Sequence, residues 1–210
     1  MKIAYQGIEG SYSESCAKDM YPDCETISCK TFDDVFKKAN DDEKILAIIP
    51  ESNRTTGNIG VEYLIFKYRL NIYKEKFYSI NHHLLAIPGS NITDIKNVYS
   101  HAQGLSQCSN FIKKNNFIEN VRADTAGSAK YISESKIKGE AAIASIESAK
   151  IYNLDVVASN IQDEKSNVTR FLLMGKSVKQ PDLKKEKYIT SFLFKLKSKP
   201  AALYSALSGF

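Results

Sequence analysis

The sequence predicts an α/β protein: two lobes of alternating strands and helices with a cleft between them. Three observations predict this class. Short apolar runs alternate with stretches of helical spacing from the N-terminus to about residue 68. The rhythm breaks over "LNIYKEKFYSINHHLLAIPGS", two extended runs in succession. It then resumes and closes with "VTRFLLMG". Such alternation builds mostly parallel sheets covered by helices on both faces.

The elements follow in order. "KIAY" is a short apolar strand, and "QGIEG" breaks it. "SYSESCAKDMY" is a helix with Ser11 or Ser13 as N-cap. "CETISC" is strand-like. "TFDDVFKKAN" is a helix capped by Thr31, with Asp34 at the capping-box position. "KILAIIP" is a buried strand ended by Pro50, and "GNIGVEYLIFKY" is a helix with Ile59, Tyr63 and Phe66 on its apolar stripe. The two extended runs cross between lobes. Beyond them come "IKNVYS" (strand), "AQGLSQCSNFIKKN" (one helix), "ENVRAD" (strand) and "TAGSAKYISES" (helix). "EAAIAS" (strand), "IESAKIYNL" (helix), "LDVVAS" and "VTRFLLMG" complete the unit. After a polar linker, "YITSFLFKLKSK" alternates, with Thr190, Phe192, Phe194 and Leu196 on one face, and "PAALYSALSGF" begins a helix at Pro200. One strand and part of a helix bury too little to stand alone, so this tail is expected to be the opening of a further domain.

Composition narrows the function. The chain has 210 residues, 43% hydrophobic and 25% charged, with a net charge of +5. Lysines are spread along the whole length and form no nucleic-acid stripe. The excess suits attraction of a small dianion. Cys16, Cys24, Cys29 and Cys108 form no C-x-x-C pair, and are expected to be reduced, mostly structural thiols in a cytoplasmic protein. The N-terminus lacks the apolar run of a signal peptide, and no segment reaches membrane-spanning length.

The chemistry collects at strand ends. "QGIEGSYS", "PESNRTTG", "SHAQGLSQC", "DTAGSA" and "NVTRF" are all rich in Ser, Thr, Asn and Gln. In open α/β sheets ligands bind at the carboxyl ends of strands. Neutral donors and helix N-termini with few carboxylates suit an anionic ligand. Singly, each piece has a plain reading. Ser11 belongs to a turn and cap, His101 is structural, and Thr125 is an N-cap. His82 and His83 are adjacent in an extended run and face opposite ways, which opposes a two-histidine metal site. Thr169 and Arg170 stand where a polar loop enters a buried strand.

Taken together, "SHAQGLSQC", "AAIAS", "IYNLDVVASNIQDEKSNVTRF" and "KPAALYSAL" resemble the prephenate dehydratase family, in order and along the whole chain. The narrowest signature is "N-x-TRF" with an Asp shortly upstream. The resemblance implies two Rossmann-like lobes arranged like a type II periplasmic binding protein, and conversion of prephenate to phenylpyruvate, water and carbon dioxide without metal or organic cofactor. It implies a catalytic domain over 1–176, with lobe one about 1–78 plus a returning strand at 168–176 and lobe two about 79–167. A linker at 177–187 and the start of a truncated ACT domain at 188–210 follow. It implies a possible homodimer, with no nucleic-acid or membrane partner. By the same resemblance Thr169 donates a hydrogen bond to the leaving hydroxyl. Asn53, Ser100 and Gln107 position the substrate, and Thr125 and Ala126 offer a helix N-terminus. Ser11 and Ser13 line a glycine-rich turn. Arg170 either clamps a substrate carboxylate or organises its loop.

The chain departs from the family's "P-I-E-N-S-x-x-G" at "PESNRTTG". Asn53 is kept, Ser52 replaces a Glu and Arg54 replaces a Ser. Glu51 is next door, and a local bulge lets it substitute. Asp124 stands where a Ser is usual. Two rivals remain at this point: a homologue that binds an aromatic acid without turnover, and a solute-binding protein of the same fold.

Overall fold

The structure, a computed structural model, describes residues 1–177, 189–191 and 194–209. The expected linker, Ser177 apart, lies outside the described residues, as do Tyr188 and Phe192 of the expected tail strand. The chain separates into two units, Met1–Val178 and Lys179–Phe210.

In the first unit the elements of one sheet come first: β1 (Lys2–Gln6), α1 (Tyr12–Met20), β2 (Glu25–Cys29), α2 (Phe32–Asp41), β3 (Ile45–Asn53), β4 (Gly57–Asn58), α3 (Glu62–Tyr68) and β5 (Asn71–Ser79). The chain then passes to β6 (His83–Ala86), a 3-10 turn (Ile92–Asp94), β7 (Asn97–Ser100), α4 (Ala102–Ser106), α5 (Ser109–Lys114) and β8 (Ile118–Val121). It continues through α6 (Thr125–Ser135), β9 (Glu140–Ala144), α7 (Ile146–Ile151) and β10 (Asp155–Ala158), and returns as β11 (Val168–Gly175). The first sheet has the order β2-β1-β3-β11-β5, with β4 beside β3; the second is β10-β6-β9-β7-β8. Two lobes of α/β structure are therefore present, joined by two crossings.

Each sheet is mixed rather than mostly parallel. In the first, β1 runs parallel to β2 and β3, while β11 is antiparallel to both β3 and β5. The reason is the connection. A strand returning from the other lobe enters at the carboxyl end of β3, so it can only run the opposite way. Each sheet is covered on both faces. Val35, Phe36, Leu64 and Leu172 pack on one face of the first, and Ile3, Ile48, Phe171 and Leu173 on the other. Leu84, Leu105 and Ile143 face Leu85, Ile132 and Ala142 across the second.

Local signals explain most boundaries. Ser11 caps α1, and Thr31 and Asp34 form the expected capping box on α2. Four readings need correction. Pro50 does not end its strand: β3 runs on to Asn53, because Pro50 sits beside a bulge where a missing N–H is tolerated. The helix after Gly57 begins only at Glu62; Val61 and Leu64 turn inward, leaving Tyr63 and Phe66 exposed. The helix expected over 102–115 is two, broken at Gln107 and Cys108. The Gln107 carbonyl accepts from the Asp163 N–H at 2.8 Å instead of continuing the helical ladder, and Asp163 carboxylate oxygens accept from Ser109 Oγ (3.0 Å) and Asn110 N (3.2 Å) at the start of α5. In the second unit, the described residues 189–191 and 194–197 carry no strand, and α8 (Ala202–Leu207) follows. A lone alternating segment with no neighbouring strand among the described residues has no ladder to join.

The two crossings lie side by side. The Ile80 N–H donates to the Asn167 carbonyl, and the Ile161 N–H to the His82 carbonyl, both at 2.9 Å. A second contact between lobes is made at Gly10, whose carbonyl accepts from Ser145 Oγ (2.7 Å) and Ser148 Oγ (3.0 Å). Gly10 has φ +88°, and a Cβ there would meet Ser148 Oγ at 2.8 Å and its Cα at 3.1 Å. Gly10→Ala is thus expected to destabilise the fold by about 1–3 kcal/mol, the cost of a non-glycine residue in that conformation, read as a lower denaturation midpoint at unchanged slope. An unchanged midpoint would show that the lobes do not depend on this close approach.

Candidate active site

The site grows from the junction of β3 and β11. In their antiparallel register Thr169 lies opposite Asn53, so both side chains stand on one face. Both are buried. The Asn53 side-chain oxygen accepts from the backbone N–H of Thr55 (2.9 Å) and Thr56 (3.1 Å). Because those donors are backbone groups, the orientation of the amide is settled. Its nitrogen points at β11, donating to Thr169 Oγ1 (2.9 Å) and to Asn167 Oδ1 (2.8 Å). Thr169 Oγ1 therefore receives a hydrogen bond, while among the described residues no acceptor takes its own proton. A hydroxyl held this way is oriented, and its proton is free to be donated.

Asn167 shares the face of Thr169 because residues two apart on an extended segment point the same way. Its Nδ2 donates to Gln107 Oε1 at 3.1 Å. Gln107 is placed there by the α4–α5 break. The His82 Nε2 lies 2.9 Å from the same oxygen, and the His82 Nδ1 lies 2.9 Å from the Tyr12 hydroxyl. The His82 N–H is itself held by Gln162 Oε1 at 3.0 Å. Burial pushes the pKa of the His82 imidazole down from its ordinary value, so the ring is neutral at neutral pH. Burial pushes the Tyr12 phenol far up, so it stays protonated. The Gln107 Nε2 is buried and has no hydrogen-bond partner among the described residues.

Of the residues singled out in the sequence, Thr169, Asn53 and Gln107 are brought into this one network. Others are placed differently. Arg170 is not free to clamp a substrate. Next to Thr169 on a strand, its side chain takes the opposite face. There its Nη2 pairs with Glu75 at 2.8 Å and its Nη1 with Glu51 at 3.3 Å. It organises the strands. The bulge considered for Glu51 is real: Arg170 pairs with Ser52 and Phe171 with Pro50, leaving Glu51 as the extra residue. Its carboxylate accepts from Ser52 Oγ at 2.7 Å and joins Arg170, on the face away from Thr169. Arg54 is exposed on the following loop.

Ser100 is fully buried and donates to the Ile143 carbonyl at 2.7 Å. A Cβ at Gly104 would lie 2.7 Å from its Oγ, so Ser100 braces α4 against β9 rather than facing a ligand. Asp124, not Thr125, caps α6, its carboxylate accepting from the Gly127 N–H at 2.5 Å. Thr125 is the first helical residue and Ala126 is buried; at this N-terminus the Asp124 carboxylate takes the Gly127 N–H. His101 caps α4, accepting from the Gln103 N–H at 3.3 Å. Ser11 caps α1, and Ser13 is buried within it; both support the helix that carries Tyr12.

Four residues in or around the network were not among the predicted site residues. Asn167 was visible as the Asn of "N-x-TRF". Asp163 was visible as the upstream Asp. His82 had been considered only as half of a metal pair, and Tyr12 carried no signal at all.

Comparison with known proteins gives one family. The prephenate dehydratase family model matches residues 3–179. The chain is 40% identical over 211 residues to arogenate dehydratase 2 of Petunia hybrida, covering all of this chain and 53% of that one. It is 39% identical over 211 residues to arogenate dehydratase/prephenate dehydratase 2, chloroplastic, of Arabidopsis thaliana, covering all of this chain and 55% of that one. The chain thus spans about half the length of these curated relatives. Among solved structures, the prephenate dehydratase of Arthrobacter aurescens in complex with L-Phe superposes with a TM-score of 0.86 at 24% identity, over all of this chain and 72% of that one. At that identity the likeness shows a shared fold.

Proposed function

Since the chain belongs to the prephenate dehydratase family, we propose that it converts prephenate to phenylpyruvate, water and carbon dioxide. The observation that carries the reading is the Thr169 hydroxyl: buried, oriented by Asn53 and with its proton uncommitted. In the reaction the bond from the ring to its carboxylate breaks and carbon dioxide leaves. The electron pair moves through the ring and expels the 4-hydroxyl, which takes up a proton and departs as water. The ring becomes aromatic, so the difficult part is the departing oxygen. Thr169 donates a hydrogen bond to that oxygen as charge builds on it. A threonine alcohol is a weak acid, so its role is to stabilise developing hydroxide; the proton comes finally from solvent. Acceptance of the Asn53 hydrogen bond strengthens Thr169 as a donor.

The ring carboxylate is released, while the side-chain carboxylate of the substrate persists and needs neutral donors. Gln107 supplies one, with a buried amide nitrogen that lacks an acceptor. Ser52 in place of the family's Glu is tolerated in this reading, because Glu51 holds its place in the Arg170 triad and neither side chain stands on the Thr169 face.

The test is turnover of prephenate and, separately, of arogenate at neutral pH by the purified chain, following phenylpyruvate and phenylalanine. Prephenate turnover well above the blank is expected. A folded protein that binds either acid but releases no product would favour the binding-only homologue. Turnover of arogenate alone would replace the proposed substrate.

A further inference from the structure

Building on that reading, we propose that His82 is a positioning residue for the reaction, fixing the Gln107 amide so that its nitrogen is presented to an oxygen of the substrate. The inference rests on the direction of the hydrogen bonds. Backbone N–H groups of Thr55 and Thr56 hold the Asn53 oxygen. Asn53 must then donate from its nitrogen to Asn167 Oδ1. Asn167 in turn donates from its nitrogen to Gln107 Oε1. The Gln107 oxygen is thereby identified, and His82 Nε2, 2.9 Å away, can only donate to it. A neutral imidazole protonated at Nε2 has an unprotonated Nδ1, which faces the Tyr12 hydroxyl at 2.9 Å; that hydroxyl's one proton is shared with the Asn81 carbonyl, 2.8 Å away. Every polarity from Asn53 to His82 Nε2 is forced from the backbone end of the path.

Two donors therefore converge on the Gln107 oxygen, from the loop before β11 and from the crossing before β6. With the oxygen pinned from both sides, the amide nitrogen cannot exchange places with it. That nitrogen is buried and unpartnered. A buried donor left without an acceptor is unfavourable, and a substrate carboxylate or hydroxyl oxygen relieves it. His82 thus sits one hydrogen bond removed from the substrate and in one of the two segments that cross between lobes. The same side chain links the crossing to the site.

The test is a double-mutant cycle of His82→Leu and Gln107→Leu, with His82→Gln as the conservative variant. Steady-state kcat and KM for prephenate, calorimetric binding of prephenate and thermal unfolding are measured on each. His82→Leu is expected to raise KM and the dissociation constant about tenfold, with kcat within about threefold, as loss of an aligned donor to bound substrate predicts. His82→Gln keeps an N–H near the position of Nε2 and should recover most of the affinity. In the Gln107→Leu background, His82→Leu should add no further loss. Full additivity in the cycle, or wild-type affinity in a folded His82→Leu protein, overturns the inference while leaving the prephenate reading intact. A parent chain that binds prephenate without turnover sinks only the catalytic reading, and the binding cycle still decides on His82. A parent that does neither overturns both.

Discussion

Thr169→Ala is expected to lower kcat for prephenate by at least about a hundredfold, the usual consequence of removing one donor aimed at developing negative charge. The substitution removes the β11 hydroxyl that accepts from the Asn53 amide nitrogen. It also leaves one Asn53 N–H buried without a partner, so a stability loss of about 1–3 kcal/mol accompanies it. The two effects separate readily. Thr169→Ser keeps the hydroxyl and should retain most of the rate, whereas Thr169→Ala should stay folded and still bind substrate. The measurement is kcat by phenylpyruvate formation, against a blank for non-enzymatic decomposition in acid. A Thr169→Ala enzyme within about tenfold of the parent would remove Thr169 from the chemistry.

Asn53→Asp should be as damaging although the side chain keeps its shape. The aspartate still accepts from the Thr55 and Thr56 backbone N–H groups. Its second oxygen, however, now faces Thr169 Oγ1 and Asn167 Oδ1, two atoms that had each accepted a hydrogen bond. The Thr169 proton turns toward the new carboxylate and is lost to the substrate. A negative charge beside the leaving hydroxide opposes the reaction as well. A fall in kcat of roughly a hundredfold or more is expected. Asn53→Ala, which leaves a gap but no competing acceptor, should be less severe in kcat. If Asn53→Asp proved more active than Asn53→Ala, Asn53 would be acting as a spacer and the oriented-donor account of Thr169 would fail.

Much of the site was legible in the linear sequence because its most informative part is local. Asn167 and Thr169 are two residues apart on one extended segment, so "N-V-T" already places them on one face. The same rule separates Thr169 from Arg170, and it explains why a pair adjacent in sequence does two unrelated jobs. Asn53 was reached through the family resemblance of "PESNRTTG". The other site residues share a difficulty. Ser100, Thr125 and Arg170 are polar residues at strand or helix ends, and residue type alone does not tell a ligand donor from a brace. Ser100 donates to the Ile143 carbonyl, Arg170 pairs with Glu51 and Glu75, and Asp124 takes the Gly127 N–H of α6. The partners of Ser100 and Arg170 lie on other elements, and spacing signals neither.

By itself, then, the sequence determined the alternation of strands and helices, the division into two lobes, the capped starts of α1 and α2, and the Asn-x-Thr pair. These follow from side-chain periodicity, capping chemistry and the strand period of two, which act over a few residues. Only the tertiary structure decided that β11 inserts antiparallel between β3 and β5, that α4 breaks at Gln107, and that His82 reaches the Gln107 oxygen. Such features join residues far apart in the chain; Glu51 and Arg170, for example, lie 119 positions apart. A hydrogen bond between distant segments is specified by how the lobes pack, and packing depends on the volume and shape of the whole core.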